Sequence, residues 1–175
     1  MSTTPFGQPF GADEDYDNVD WKVGVEFDVR DASMLYATLQ TGYQPGTYNP
    51  FPATPTQSNL VQPAKLTALT AGAKNRFLDE RLQANVELFY YDYDDLFVQS
   101  FNLNTALLTT FNAEKVEIYG SQFDLLFQPT PDGRLNLSVG YLHARFDEFV
   151  VPPSIDIGTP VRDFAGYQLQ YAPDW

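Results

Sequence analysis

Residues 21–29 read Trp-Lys-Val-Gly-Val-Glu-Phe-Asp-Val, an unbroken alternation of apolar with polar or small side chains. Successive side chains of a β-strand point to opposite faces, so this period of two predicts a strand with one apolar and one polar face. The polar stretch at 30–33 ends the alternation and predicts a short turn. The same pattern then resumes on the far side of that turn.

Five further windows repeat the alternation, at 34–43, 67–77, 82–91, 119–128 and 135–141. The six windows together contain seven charged residues, all on the face opposite the apolar one: Lys22, Glu26, Asp28, Lys74, Arg76, Glu87 and Asp124. A wall that faces lipid must exclude charge, since a lysine or arginine at mid-bilayer costs about 2–4 kcal/mol, and a buried core excludes charge as well. The pattern predicts six strands and no helix.

The connections between these windows alternate in length. Short connections at 30–33, 78–81 and 129–134 alternate with long ones at 44–64, at 97–112 and from 147 onward. Outer-membrane barrels have this asymmetry, with short periplasmic turns and long extracellular loops. The lengths of the windows are close to the ~9–11 residues of a tilted membrane strand, which favours the same interpretation. Aromatic residues near the strand ends resemble interfacial girdles: Trp21, Tyr43, Phe77, Tyr90, Phe127 and Tyr141.

Together these features predict an all-β fold, an antiparallel up-and-down meander of about six long strands that forms an incomplete segment of a transmembrane β-barrel. Residues 1–19 would be the remnant of an acidic extracellular loop, and residues 20–147 would hold the six barrel strands. Residues 148–175 would form an extracellular loop and the start of a truncated strand. Six strands fall short of the eight in the smallest membrane barrels, so we expect a fragment of a larger protein.

Composition excludes several classes of function. The chain has 23 acidic and 10 basic residues and a net charge of −13, which argues against nucleic acid as a partner. With no cysteine and a single histidine, it offers no disulfide, no thiolate metal site and no histidine cluster for zinc. No apolar run approaches the ~20 residues of a membrane-spanning helix.

Acidic residues supply two candidate binding sites. The stretch 13–20 invites a calcium hypothesis, but Asn18 and Gly24 stand where an EF-hand loop requires glycine and glutamate. A solvated acidic loop is the alternative. Asp92, Asp94 and Asp95 follow the fourth window, where they would bind a cation or a polar ligand, or stand in water at a rim.

Two further groups could carry chemistry. His143 lies near Arg145 and Asp147, but no Gly-x-Ser-x-Gly elbow supplies a nucleophile for a hydrolytic triad. Glu87 and Asp124 share the polar face, where paired carboxylates can act as acid and base or simply line an aqueous lumen. The sequence therefore assigns no catalytic, cofactor-binding or metal residue, and it leaves the ligand-binding residues unknown.

Several segments match, in order, the motifs of one known family. Residues 33–50 are similar to a strand that ends in Gly-Tyr-basic-Pro-Gly-Gly-Phe-Asn, with Gly-Tyr-Gln-Pro-Gly at 42–46. Residues 89–96, Phe-Tyr-Tyr-Asp-Tyr-Asp-Asp-Leu, resemble the segment F-Y-x-D-Y-x-D-L, and further similarity lies at 63–79, 112–120, 135–141 and 171–175. These motifs resemble the C-terminal half of the barrel of TonB-dependent outer-membrane receptors, and the resemblance spans about residues 20–175.

This resemblance implies a transport function. The chain would be a wall segment of a receptor in the outer membrane of a Gram-negative bacterium, for active uptake of a scarce nutrient such as an iron siderophore. The implied partners are outer-membrane lipid, a plug and further barrel strands absent from this chain, the TonB energising complex acting through that plug, and an extracellular small-molecule ligand. The chain is not expected to transport by itself. Tyr48, Asn49 and Asn59 are candidate ligand contacts in the long connections.

Two other classes stay open at this point. The chain could be a soluble secreted β-domain that binds carbohydrate or protein, or an enzyme on a β-scaffold. In the soluble domain the apolar face would be packed against a second sheet. In the receptor the same face would be exposed along the outside of the wall, with Glu26, Glu87 and Asp124 on the opposite side.

Overall fold

The computed structural model describes residues 14–49, 59–102, 107–151 and 161–175, and within them the regular structure is all β. The strands in chain order are β1 Lys22–Arg30, β2 Ser33–Gln44, β3 Thr47–Tyr48, β4 Leu60–Val61, β5 Ala64–Phe77, β6 Leu82–Asn102, β7 Leu107–Thr130, β8 Gly133–Glu148, β9 Val150–Val151 and β10 Arg162–Asp163. Six of them form one antiparallel sheet in the order β1-β2-β5-β6-β7-β8. The remaining four form two small pairs, β3 with β4 and β9 with β10.

Strand register aligns the apolar positions into rows that cross the whole sheet. One such row runs through Phe27, Leu35, Ala73, Val86, Phe123 and Val139. The next row runs through Glu26, Tyr36, Gly72, Glu87, Gln122 and Gly140. Because neighbouring positions point to opposite sides, the first row belongs to what we call the outer face and the second to the inner face.

The outer face is apolar and exposed. Phe27 is 65% exposed and Val139 is 46% exposed, and the same holds for Val23, Val25, Leu35, Leu69, Val86, Leu88, Leu135 and Leu137. In the described part of the chain, no second large sheet covers these side chains. The predicted fold class is therefore confirmed, and the alternative of a soluble domain with this face as its core is not favoured.

The apolar part of the outer face has the height of a membrane. On β6 it extends from Leu82 to Tyr90, about 26 Å along the strand at ~3.3 Å per residue. A strand tilt of ~40° reduces this to about 20 Å, comparable with the ~25 Å apolar band of outer-membrane barrels. Aromatic residues lie at both ends of the band, namely Phe77 and Phe127 near the short turns and Tyr90 and Tyr119 at the other end.

The short connections lie together at one end of the sheet, which we call the turn rim. The opposite end, with the long connections, is the loop rim. Between β5 and β6 the chain turns through Leu78, Asp79 and Glu80, all at positive φ (55°, 53° and 67°). The Arg81 guanidinium donates to the carbonyl oxygens of Gln128 and Pro129, which ties this turn to the β7–β8 turn.

Two strands extend well beyond the membrane band. Residues 97–112 were predicted to be a loop, but β6 continues to Asn102 and β7 begins at Leu107, with cross-strand partners such as Phe101 and Leu108. We call residues 96–102 and 107–113 the arm. Its lower part stays in β-structure because Leu96, Val98, Phe111 and Ala113 pack in a cluster at the loop rim, described next.

The buried core of the described chain lies at the loop rim. Its members are Phe111, Ala113, Val116, Phe146 and Phe149, and Tyr93, Leu96, Val98, Ile118, Val151, Phe164 and Leu169 pack against them. Ala113 and Val116 are fully buried. Since Tyr93, Val116 and Phe146 belong to one inner-face row, the upper part of the inner face is apolar and covered by the protein's own chain.

The segment from Phe164 to Asp174 follows the upper edge of β8. Leu169 N–H donates to the Ala144 carbonyl at 3.0 Å, and Leu142 N–H donates to the Asp174 carbonyl at 3.1 Å. The Trp175 ring lies against Tyr141, with ring centroids 5.0 Å apart. The upper half of β8 is therefore paired on both sides.

Candidate functional site on the inner face and loop rim

A polar patch occupies the inner face near the middle of the strands. The Tyr36 hydroxyl donates a 2.5 Å hydrogen bond to Glu87 Oε2. Lys74 Nζ lies 5.3 Å from the centre of the Tyr36 ring, within cation–π range. Tyr36 belongs to β2 and Glu87 to β6, so this contact joins two strands across the intervening β5.

Gly72 makes that bridge sterically possible. It is the β5 residue between its register partners Tyr36 and Glu87. A Cβ at Gly72 would lie 2.6 Å from Tyr36 Cζ and 2.6 Å from the Val86 carbonyl oxygen. The tyrosine ring therefore crosses the backbone only because this residue has no side chain.

Asp124 extends the patch toward β8. Its carboxylate accepts a 2.6 Å hydrogen bond from Ser138 Oγ and a 3.0 Å hydrogen bond from Gln122 Nε2. Glu87 and Asp124 line one open depression, together with Tyr36, Lys74, Asn85, Val86 and Gln122. Because each carboxylate already accepts hydrogen bonds from the wall, the geometry favours a polar lining over an acid–base pair.

Charged residues begin on the outer face directly above the apolar band. Lys115 Nζ lies 3.6 Å from Asp92 Oδ2, and the Tyr90 hydroxyl donates a 2.6 Å hydrogen bond to Glu117 Oε1. Tyr90 thus has its ring at the edge of the band and its hydroxyl among charged groups, as expected of an interfacial tyrosine.

Asp95 stands above the band, where β6 enters the arm. Its φ of 58° is left-handed, a conformation that aspartate tolerates better than most residues. The pKa of the Asp95 carboxyl is raised, mainly by burial and to a smaller extent by the negative charge of Asp94. The positive charge of Lys65 lowers this pKa in part. Asp92, Asp94 and Asp95, which are close in the sequence, lie within β6 where it leaves the apolar band, and Asp92 forms an ion pair with Lys115.

His143 belongs to the upper aromatic edge of the outer face. Its ring stacks on Tyr119 with centroids 4.5 Å apart, and the two residues are cross-strand partners. Arg145 donates to the Gly166 carbonyl at 2.9 Å, so it holds the C-terminal segment. These contacts are structural, and they give His143 no nucleophile to activate.

The acidic stretch is described from Glu14 onward, and Asp13 lies outside the described residues. Asp20 accepts hydrogen bonds from the Asn18 amide at 2.9 Å and from the Thr41 hydroxyl at 3.3 Å. Within residues 14–49, 59–102, 107–151 and 161–175, no group of three or more acidic or histidine side chains is arranged to hold a metal ion. The same residues contain no helix of the length and apolarity needed to span a bilayer.

The three candidate ligand contacts lie at the ends of the β3–β4 pair. Asn59 Nδ2 donates to the Tyr48 hydroxyl at 2.6 Å. Asn49 is 2% exposed and its Nδ2 donates to the Thr110 carbonyl at 3.1 Å, so Asn49 serves as a link between elements. The tip of this connection, residues 50–58, lies outside the described residues.

Asn112 at the loop rim joins three segments of the chain, a role that its local sequence does not indicate. Its Nδ2 donates to the carbonyls of Gln62 and Asp95, and its Oδ1 accepts from Gln62 N–H, each at 2.9 Å. Asn112 begins the segment 112–120 that resembles a family motif, but nothing in its neighbouring residues indicates that its side chain joins other elements. Its partner Gln62 is 50 residues away, and only the folded sheet brings the two together.

An exposed apolar band of membrane height, a polar inner face and long connections at a single rim define the wall of an outer-membrane β-barrel. The chain belongs to the TonB-dependent receptor family, because the family model for the TonB dependent receptor-like β-barrel matches residues 2–175. It is accordingly a Gram-negative outer-membrane protein. This confirms the family and the localisation that the sequence resemblance implied.

Solved structures of receptors and transporters share the fold. The copper transporter OprC is 21% identical with a TM-score of 0.56, over 71% of this chain and 20% of that chain. The alcaligin outer-membrane receptor FauA from Bordetella pertussis is 18% identical with a TM-score of 0.51, and the match covers 82% of this chain and 23% of that chain. The FrpB iron transporter from Neisseria meningitidis (F3-3 variant) is 13% identical with a TM-score of 0.56, and the match covers 87% of this chain and 21% of that chain. The chain thus spans about a fifth of each, and identities this low show the fold alone.

Proposed function

We propose that this chain is part of the wall of a receptor that actively takes up a scarce nutrient, such as an iron siderophore. The observation that carries the proposal is the division of the sheet into an exposed apolar outer face and a polar inner face. A copper transporter, an iron transporter and an alcaligin receptor share the fold, which supports a metal or a metal complex as the cargo.

In this function each part of the sheet has a separate role. The outer face contacts lipid, and the polar inner face with Glu87 and Asp124 lines the passage. The connections at 44–64 and 147–172, together with the arm, carry the ligand-recognition surface. The plug and the TonB complex supply the gate and the energy, and this chain supplies wall and recognition surface rather than catalysis.

The chain needs further strands before it can form a passage. Among the described residues, the outward edge of β1 and the lower half of β8 have no strand partner. Lipid offers no hydrogen bonds to unpaired backbone groups, so open strand edges are not tolerated in a bilayer. We therefore expect no transport by the 175-residue chain alone.

The test is deletion of the coding region in the bacterium that carries it, followed by uptake of radiolabelled ferric siderophores from iron-poor medium. We expect uptake of one ferric complex to be lost and growth on excess soluble iron to be unchanged. Complementation with the intact gene is the control. Unchanged uptake of ferric siderophores, haem, copper and cobalamin would overturn the nutrient-uptake proposal, and recovery of the protein in the soluble fraction would overturn its place in the wall.

A further inference from the structure

We propose that Asn112 is the positioning residue of the loop rim, which fastens the connection between β2 and β5 to the arm. The use of this contact in ligand recognition rests on the proposed function. The contact itself does not, because it is defined by hydrogen bonds within the described chain.

The Asn112 side chain imitates a short piece of β-ladder. Its Oδ1 accepts from Gln62 N–H and its Nδ2 donates to the Gln62 carbonyl, both at 2.9 Å, so that one amide satisfies both backbone groups of Gln62. A second donation from Nδ2, to the Asp95 carbonyl at 2.9 Å, anchors the amide to β6. Only a carboxamide side chain presents an acceptor and two donors in this arrangement.

Asn49 provides a second attachment for the same connection. It follows β3, it is almost fully buried, and it donates to the Thr110 carbonyl on β7. Gln62 follows β4, so both strands of the small pair are held on β7, one by Asn49 and the other by Asn112. Two attachment points fix the orientation of the pair as well as its position.

These attachments matter because the β3–β4 pair is too short to hold its own position. Within the described residues, which leave out 50–58, it has two register pairs, Thr47 with Val61 and Tyr48 with Leu60. An isolated two-stranded hairpin is at best marginally stable in water. The placement of Tyr48 and Asn59 over the rim therefore depends on the contacts to the arm, and Asn112 supplies three hydrogen bonds to that end.

The test is amide hydrogen exchange on the full 175-residue chain in detergent micelles. In Asn112→Ala, the loss of its two bonds to Gln62, at ~1 kcal/mol per hydrogen bond, should reduce the protection of the Gln62 amide by about 30-fold. Amides of β6 between 84 and 90 should keep their protection, which serves as the internal check on the fold. Asn136→Ala, on the inner face of β8 and away from this contact, is the matched control.

Asn112→Asp gives a signature that loss of packing would not produce. Its carboxylate would face the carbonyl oxygens of Gln62 and Asp95. The charged groups lining the adjacent depression are the acids Asp94, Asp95 and Glu114 and the base Lys65. The charged form is therefore disfavoured, and the protonated form can accept from Gln62 N–H and donate to one carbonyl.

For Asn112→Asp we expect the Gln62 protection factor to be low at neutral pH and to recover as the pH falls, whereas Asn112→Ala should show no recovery. Equal protection of Gln62 in the wild type and in Asn112→Ala would overturn the proposal. The proposal would also fail if the Gln62 amide of the wild-type chain were unprotected while the β6 amides were protected. It would fail as well if the amides of β5, β6 and β7 showed no protection. If the Gln62 amide loses protection in Asn112→Ala but deletion of the coding region leaves nutrient uptake unchanged, the proposed function is rejected and the positioning role of Asn112 stands.

Discussion

At the scale of single residues, the inner face depends on glycines that let aromatic rings lie across the backbone. Tyr36 covers Gly72, and Phe89 covers Gly120, where an added Cβ would lie 2.6 Å from Phe89 Cζ. Gly140 differs, because the nearest atom to its added Cβ is the Ser121 carbonyl oxygen at 4.0 Å. A methyl group would therefore clash with an aromatic ring at Gly72 and Gly120, whereas Gly140 on the same face has room for it.

Gly72→Ala should destabilise the folded chain by about 1–3 kcal/mol, the usual cost of forcing extra atoms into a packed site. The Tyr36 ring would have to move, and its hydrogen bond to Glu87 would be lost or lengthened. Gly140→Ala is the matched control and should be neutral or stabilising by up to ~1 kcal/mol, since glycine weakens a strand. Urea unfolding in micelles, followed by tryptophan fluorescence, measures both, and equal effects would contradict the steric argument.

At the scale of elements, the β5–β6 turn is built from residues that do not favour its backbone conformation. Leu78, Asp79 and Glu80 are all left-handed, at a cost of roughly 1–2 kcal/mol for each ordinary residue. Contacts of Arg76 and Arg81 hold the turn, including the Arg76–Glu80 ion pair at 3.5 Å between exposed side chains. An exposed pair of this kind contributes little, so the strain is offset mainly by the strands on either side.

Leu78→Gly should therefore stabilise the chain by about 1 kcal/mol, because glycine adopts positive φ without a steric penalty. Leu135→Gly is a matched control, since Leu135 is equally exposed (62% against 61% for Leu78) but lies within β8. That change should destabilise the chain by roughly 0.5–1 kcal/mol or more. The midpoint of urea unfolding should move in opposite directions for the two variants, and a shift in the same direction would refute the strain at Leu78.

At the scale of the whole molecule, the environment of each face decides which substitutions are tolerated. The outer face has no covering layer in the described chain, and its apolar height of about 20 Å is close to the ~25 Å band of outer-membrane barrels. The inner face is polar near the middle of the strands and apolar near the loop rim, where the protein's own connections cover it. One sheet thus meets lipid, water and packed protein in different regions.

In a wall closed by the further strands that the sheet needs, Val139→Lys should destabilise folding in lipid vesicles by about 2–4 kcal/mol, the cost of a lysine on the lipid face near mid-bilayer. Val139 lies in the row that crosses the middle of the band. Its neighbour Ser138 points to the inner face and donates to Asp124, so in Ser138→Lys the new ammonium can pair with that carboxylate. The folded fraction of the two variants in vesicles measures the difference, and equal tolerance would show that the outer face does not contact lipid.

Local patterns in the sequence were sufficient to predict the central part of each of the six long strands and which face of it is apolar. Period-two alternation depends only on neighbouring residues, so Trp21 to Val29 and the five later windows could be assigned without knowing their partners. The order of long and short connections indicated the meander, and motifs such as residues 89–96 indicated the family. The polar side chains Glu87 and Asp124 were likewise placed on one face before their contacts were known.

The tertiary structure decided the features that depend on residues far apart in the chain. The arm forms because side chains such as Phe111 and Ala113 pack with Val116 and Phe146, a contact that the local sequence does not reveal. Tyr36 reaches Glu87 only because strand register places Gly72 between them, and Asn112 meets Gln62 only through the same alignment. Alternation fixes the direction of a side chain relative to its own strand, whereas its contacts depend on the register between strands, and that is settled only when the whole sheet assembles.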